Sequence, residues 1–525
     1  MIVDFRAADC LAEITADLCV IGSGAAGITI ARALAGSTTR VCVVESGGLE
    51  PDGDTQALYE GQSVGLPWGM DLATSRLRFF GGTTGHWGGG CVPLDASDME
   101  PRPWVPHSGW PISRQDLDPF YDRARAVLHL PGYPFGDARL LSGLAHKPLG
   151  VDPEMLTNAY VLGSERPRFG EVYRQELARA GNVTVLLNAN LLELEVNETG
   201  AVVQQALLRS LQGRTGCVRA RVFVLACGGT ENARLLLLSN SVQPQGLGNG
   251  RDLVGRFFMD HPSGKLGSIV SEDPDRLTSA YDRHLTDRNL PIYPQIALSR
   301  TLQQKQLVLN GRVRPEDLEQ DVPDGISALR SLRGDLAKGS MDGLPSQILR
   351  VVADLGEVAP SIYRRLRGGP AVSTHRIDLE GFFEQAPNRH SRVSLGEKTD
   401  ALGQREIRLD WQLTELDRHT YETAAKVFAA ELARLGLGRV QFDPWLRPGG
   451  ARFGGVGSVA HHMGTTRMSE DARTGVVDRN CRIHGVDNLY VAGSSVFPTG
   501  GWAFPTFTIV ALALRLSDLL RQRLV

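Results

Sequence analysis

No apolar run in the 525-residue chain reaches the length of a bilayer-spanning helix. The N-terminus also lacks a basic segment followed by an apolar stretch and a small-residue cleavage site. Both absences argue against an integral membrane protein, and a cytoplasmic enzyme is the expectation. Excess charge of either sign is missing too: 56 Lys and Arg stand against 59 Asp and Glu, and the Arg-rich pieces are short and interleaved with acids. A nucleic-acid partner calls for a concentrated basic surface, so none is expected. Cysteine is sparse, with seven residues (Cys10, Cys19, Cys42, Cys91, Cys217, Cys227 and Cys481) widely spread and no CxxC pair. That pattern argues against a disulfide framework, a zinc site or an iron–sulfur cluster, and no metal is expected. Internal repeats and low-complexity tracts do not stand out. What remains is an ordinary globular composition, 42% apolar and 22% charged, in a chain longer than one hydrophobic core. At least two domains are expected, and the sequence sets no oligomeric state.

The first informative stretch is at the start of the chain. Residues 16–22 (ADLCVIG) form a short apolar run entering a glycine turn, 25–35 have helical spacing, and 40–45 (RVCVVE) form a second strand ending in Glu45. Gly22, Gly24 and Gly27 fit G-x-G-x-x-G, and Glu45 follows Gly22 at the distance of a ribose-binding acid. Strand, glycine turn, helix, strand and acid together predict a dinucleotide-binding βαβ unit, with the pyrophosphate at the helix N-terminus. No second such unit for a nicotinamide is evident, which favours one tightly held flavin.

Further along, 116–128 predicts a helix, and 183–196 predicts two strands with a turn at Asn188–Asn190 and partners at 201–210 and 218–226. Residues 221–239 repeat the pattern of apolar strand, two glycines and helix, a return to the first sheet. Residues 301–370 are rich in Arg and Asp and predict helices outside a second domain. Alternation from 372 to 411 predicts antiparallel strands, and the end of the chain predicts a strand, a demanding loop and a long apolar helix.

Seven pieces in order, VIGSGAAG (20–27), GGTTGHWGGG (81–90), LACGGTENARLLL (225–237), LVGRFFMDHP (253–262), FFEQAPNRHSRVSL (382–395), HHMGTTRM (461–468) and VVDRNCRIHGVDNLYVAGSSVFPT (476–499), resemble the glucose–methanol–choline (GMC) oxidoreductases. The likeness is nearest to the bacterial sugar dehydrogenases and pyranose-oxidase-like members, and is thin through 265–370. It implies FAD as cofactor and an α/β fold with a Rossmann-like FAD-binding domain (1–100, 181–262 and 451–525). A discontinuous substrate domain would be built on an antiparallel sheet with helices (101–180 and 263–450), with a helical insertion near 301–370. Besides Gly22, Gly24, Gly27 and Glu45, the cofactor would meet Gly82, Thr83, His86, Gly493, Ser494, Pro505 and Thr506. Some pyranose-oxidase-like members attach FAD covalently through a histidine in a T-H-W context; a noncovalent place beside the isoalloxazine ring is the expectation for His86.

The family's first catalytic histidine stands three residues before the glycine of a GT pair, which falls on His461. Hydride leaves an alcohol carbon readily only as the hydroxyl proton is taken, and a neutral imidazole can take it near neutral pH. His462 is its neighbour and, in extended backbone, points elsewhere. At the second catalytic position relatives carry histidine or asparagine, whereas this chain has Phe504 in GGWAFPT, a side chain that neither donates nor accepts. His462, His86 or His107 could substitute. Trp87, Gln385 and Trp502 are candidate substrate contacts; Asn388 beside Gln385 fits turn capping equally well. Asp260 and His261 read as a structural turn.

The resemblance thus implies oxidation of an alcohol, on a sugar, glycoside or cyclitol, by hydride transfer to flavin N5 with His461 as base. Oxygen, a quinone or a protein would accept the electrons, with a dehydrogenase ahead of an oxidase. A hydrophobic alcohol, a non-oxidative lyase or decarboxylase reaction, and a catalytically silent flavoprotein stand as alternatives.

Overall fold

The protein is described by a computed structural model for residues 1–130, 135, 140–141, 143–144, 146–286, 289–317 and 377–524. Its first sheet has eight strands. Parallel neighbours run in the order Ile2–Asp4, Val183–Leu187, Val41–Val44, Glu13–Ile21, Thr215–Leu225. Val41–Val44 is buried at every position, as a central strand covered on both faces must be. Thr215–Leu225 is long enough to serve two partners on its far side. Its first half pairs antiparallel with Val203–Arg209, which continues to Asn190–Val196, and its last residues pair in parallel with Leu489–Val491. The strand return read from residues 221–239 and the two strands read from 183–196 therefore hold, though these two do not pair with each other: Val183–Leu187 joins Val41–Val44 and Asn190–Val196 joins Val203–Arg209. Asn188, at φ 59°, makes the turn between the two strands.

The second sheet has nine strands and is antiparallel throughout its main path: Arg439–Phe442, Ser263–Val270, Ile377–Phe383, Gly311–Asp317, Pro291–Leu298, Leu156–Gly163, Gly90–Cys91. Arg392–Thr399 and Arg405–Trp411 leave this sheet and join Gly61–Gly65 in a separate three-stranded one. Strand pairing thus crosses two of the expected boundaries. Gly90–Cys91, in the segment assigned to the first domain, belongs to the second sheet, and 392–411, assigned to the second, pairs with Gly61–Gly65.

One expectation needs correction. Of the helical insertion near 301–370, the described part is a short helix, Arg300–Gln306, and then a strand, Gly311–Asp317, inside the second sheet; the remainder, from 318, lies outside the described residues. The charge of GRVRPED concealed the strand. Its Val313 and Pro315 are buried, while Arg312, Arg314 and Glu316 alternate onto a cavity wall, so the polar face is an interior one. The helix expected at 116–128 runs Arg114–Val127, because Ser113 and Asp116 close a capping box just before it.

The last helix, Pro505–Leu524, packs on Ala25–Leu34 and on Arg114–Val127 and buries Phe507, Val510, Ala511, Leu514 and Leu520 among others. No helix among the described residues is long and apolar enough to cross a membrane.

A buried ion pair ties the loop after residue 100 to the second sheet. Arg102 donates through Nη1 to Glu384 Oε2 at 2.7 Å and through Nη2 to Oε1 at 2.5 Å, and the Asn310 amide N–H also donates to Glu384 at 3.1 Å. Removing one partner of such a pair strands the other charge, at about 3–5 kcal/mol. Arg102→Met should lower the apparent thermal midpoint markedly, and adding Glu384→Leu should recover part of the loss; calorimetry of the two variants checks this.

Candidate active site

The glycine turn after Glu13–Ile21 begins with the Gly22 N–H donating to Val44 O at 2.8 Å, and helix Ala25–Leu34 starts at once. A Cβ on Gly27 would fall 1.9 Å from Gly22 O, so only glycine lets the helix sit this close to the strand. A Cβ on Gly24 would meet no atom within 4 Å: that position faces the open cavity. This cavity, about 730 Å³, runs from the turn to the second sheet. The Glu45 carboxylate at its wall is buried and accepts from Ser23 N–H (3.1 Å), Ser23 Oγ–H (2.6 Å) and Gly47 N–H (2.9 Å). Gly82 and Thr83 begin a tight turn packed on Gly24, and Ser494 Oγ donates to His462 O at 2.6 Å. These residues line the same cavity with His86, Gly493, Pro505 and Thr506.

Beside the glycine turn lies a buried charge cluster. Glu231 pairs with Arg78 (2.7 Å) and Arg234 (2.9 Å), with Arg76 at 3.8 Å, and Arg234 also pairs with Asp400 (2.6 Å). The Tyr59 ring lies under both Arg76 and Arg78, 4.0 and 4.4 Å from their guanidinium carbons. Burial pushes Glu231 up, but Arg234, Arg78 and Arg76 outweigh it and hold the carboxyl at about 2. Three guanidiniums thus face Glu231 and Asp400 on the wall of a cavity with a helix N-terminus in it, and Glu45 stands across the turn from them. Turn, acid and cluster fit a dinucleotide: an open glycine and a positive dipole for the diphosphate, a carboxylate for ribose hydroxyls.

At the other end two histidines meet. His461 Nδ1 lies 2.9 Å from His261 Nδ1, and His261 Nε2 lies 2.9 Å from Gly501 O. A carbonyl only accepts, so His261 Nε2 carries the proton and its Nδ1 is the acceptor. His461 must then be protonated at Nδ1, which leaves its Nε2 as a bare lone pair. Both backbones are fixed by one buried carboxylate. Asp260 accepts the His261 N–H (2.7 Å) and the His461 N–H (2.9 Å) on one oxygen, and Trp68 Nε1–H (3.2 Å) and Ser458 Oγ–H (2.5 Å) on the other. Met259 and Met463 exchange backbone hydrogen bonds between the two segments. Burial holds His261 down to about 3; burial, with His261, His462 and Arg312 adding, takes His461 well below the usual imidazole range. Both are neutral at pH 7.

Residues 387–513 match the family model described as GMC oxidoreductase. The chain is 27% identical to 6'''-hydroxyparomomycin C oxidase of Streptomyces lividus, over 97% of this chain and 92% of the relative. It is 22% identical to the fructose dehydrogenase large subunit of Gluconobacter japonicus, over 96% and 97%. Among solved structures, an FAD-dependent oxidoreductase from Chaetomium thermophilum superposes with a TM-score of 0.56 at 16% identity, covering 97% of this chain and 99% of that one. The C-terminal part of the chain is a GMC oxidoreductase domain. The cofactor expected from the sequence, FAD, stands with the family.

In this protein several sequence candidates gather around His461. The Phe504 ring is 5.5 Å from the His461 ring and 5.4 Å from Phe382. His462 lines the cavity and packs its ring on Trp68 (5.0 Å) and Phe258 (5.9 Å), with Nε2 buried and no acceptor or donor among the described residues. His86, exposed, and Trp87 line the cavity, Trp87 with its Nε1–H on Pro167 O. Trp502 is buried behind this wall and does not line it. Gln385 is a correction: its amide oxygen accepts from Asp260 N–H and Trp411 Nε1–H and its nitrogen donates to Gln412 O, so it is spent holding Asp260 and is not a cavity residue. Asn388 caps its own turn through the His390 N–H. His107 faces Phe257, away from the cavity. Two residues went unassigned in the sequence. His261 was read as part of a turn, and Arg312 lay in a stretch read as helical; no local pattern marks either.

Gly27→Ala should yield colourless protein, since the helix must retreat from Gly22 and carry the diphosphate site with it. The ratio of visible to 280 nm absorbance after gel filtration measures this, with Gly181→Ala, at a glycine a Cβ would not crowd, as the control.

Proposed function

We propose that this protein oxidises an alcohol with FAD held along the cavity from Gly22 to His461, His461 Nε2 removing the hydroxyl proton. When bound, FAD supplies the hydride acceptor, flavin N5. The observation that supports the base assignment is the hydrogen-bond chain Gly501 O, His261, His461. It fixes the tautomer, so the lone pair is ready before substrate arrives, and it keeps the ring from turning. Once protonated, His461 carries its new charge beside a neutral His261 whose Nδ1 accepts from it. Phe504 and Phe382 exclude water from the histidine edge rather than bonding the substrate. His86 takes a noncovalent place at the cavity wall. Among candidates for substrate, sugars, glycosides and cyclitols come first, since curated relatives spanning the chain are named for a paromomycin-type compound and for fructose. Those relatives include an oxidase and a dehydrogenase; a dehydrogenase is the reading carried from the sequence, and slow recolouring of reduced enzyme in air, against fast recolouring with a quinone, tests it.

His461→Ala should keep its yellow colour yet lose about 10²–10⁴-fold in the rate of anaerobic flavin bleaching by alcohol. An equal rate in the variant refutes the assignment. His461 is neutral above its depressed pKa, so bleaching should be level through neutral pH and fall only as the pH drops well below 6.5, through that value. His261→Phe removes the acceptor of the His461 Nδ1–H and frees the other tautomer. It should slow bleaching at least ~10-fold at unchanged FAD content, because the wrong tautomer presents a proton where a lone pair is needed.

A further inference from the structure

One cation on the cavity wall has no counter-charge among the described residues. Arg312 lies in the strand Gly311–Asp317, opposite Phe382 in the register of the second sheet. Its guanidinium carbon is 4.3 Å from the Phe382 ring centroid, 5.6 Å from that of Phe504 and 6.0 Å from that of Trp502. Phe382 and Phe504 are also the rings that flank His461, at 6.0 and 5.5 Å. Arg312 Nη1 donates to Gln295 Oε1 at 2.5 Å, while Nε is buried with no acceptor among the described residues.

The neighbouring charges are otherwise occupied. Arg314 pairs with Glu316, and Lys265 pairs with Asp378 at 2.8 Å. Glu380 faces Arg314 in register, and burial, with Asp378 adding, pushes it up to about 7. Among the described residues no carboxylate reaches Arg312. Burial, with Arg314 adding, brings its pKa down to about 9, so it is still a cation at neutral pH. A desolvated cation without a partner is costly, and aromatic faces return only part of that energy because they offer no acceptor to the N–H fork.

We propose that Arg312 receives a carboxylate carried by the substrate, so that the alcohol oxidised at His461 is a hydroxy acid, of the uronate or aldonate kind where the alcohol is a sugar. The planar fork matches a carboxylate in two parallel hydrogen bonds, and one molecule can span Arg312 and His461 because the same two rings touch both. The inference rests on the function proposed above for its alcohol end and on Arg312 alone for its acid end.

The test separates the two. Binding of monocarboxylates lacking a hydroxyl (acetate, benzoate, cyclohexanecarboxylate), of their amides and of inorganic phosphate to the oxidised holoenzyme is read from the visible flavin spectrum and by calorimetry. Carboxylates should bind and amides should not, and His461→Ala should bind them as the parent does. Arg312→Met should weaken carboxylate binding roughly 10–100-fold, with Arg312→Lys between. Arg312→Met should unfold no earlier than the parent, because it removes a buried unpaired charge, so lost binding cannot be ascribed to misfolding. Amides binding as well as acids, carboxylate affinity unchanged in Arg312→Met, or phosphate binding far more tightly than any carboxylate would each overturn the proposal. If a neutral alcohol then bleaches the flavin in a His461-dependent way, only the carboxylate inference has failed; carboxylate binding without bleaching by any alcohol would instead sink the alcohol-oxidation reading.

Discussion

The Asp260 carboxylate is the group on which the histidine end of the cavity depends. It accepts from both histidine backbones and from Trp68 and Ser458, and its own N–H is held by Gln385. Burial raises its pKa while these bonds oppose the rise. A carboxylate with this many donors is rigid, because tilting it to improve one bond breaks another. Two segments two hundred residues apart are thereby aligned to hydrogen-bond accuracy, which a tautomer-setting contact between two imidazoles demands. Gln385 and Trp411 form a further layer behind it.

The electrostatics of the cavity change along its length. At the glycine turn three guanidiniums are buried with Tyr59 and the carboxylates of Glu231, Asp400 and Glu45. Around His461 the imidazoles are neutral, the walls are aromatic and one cation, Arg312, stands against the same rings, a setting that raises the strength of any polar contact made there and excludes competing water. A fold with one sheet at each end suits this gradient. The parallel sheet presents strand C-termini, a helix dipole and glycines, whereas the antiparallel sheet presents alternating side chains that can be apolar or charged position by position.

Legibility in the sequence followed the range of the interactions. Strand, turn and helix at 16–35 are local, and Gly22, Gly24, Gly27 and Glu45 could be read with their neighbours alone. The returning strand at 215–225 was readable because it repeats that local pattern. His461 was readable through its distance from Gly464, a spacing within one segment. His261 was not, since its role exists only through His461 across the fold, and its own surroundings look like a proline-closed turn. Arg312 was hidden for another reason. Charge in alternation was taken for a solvated helix face, and periodicity does not say whether a polar face meets water or a cavity. Gln385 erred in the opposite direction: an amide-rich loop suggested polyol contacts, but its donors and acceptors are consumed by backbone and indole.

The parallel sheet has a temporal consequence. Leu489–Val491 completes the edge beside Thr215–Leu225, and Pro505–Leu524 covers the helix that follows the glycine turn. On the ribosome the strand that opens the cofactor turn emerges first, and its covering helix follows several hundred residues later. Until then Ala25–Leu34 has an uncovered apolar face, a hazard for any nascent chain that must wait for distant contacts. The cavity gains its last wall, Pro505 and Thr506, only after that segment has been made, so a prosthetic group cannot be fully enclosed before then.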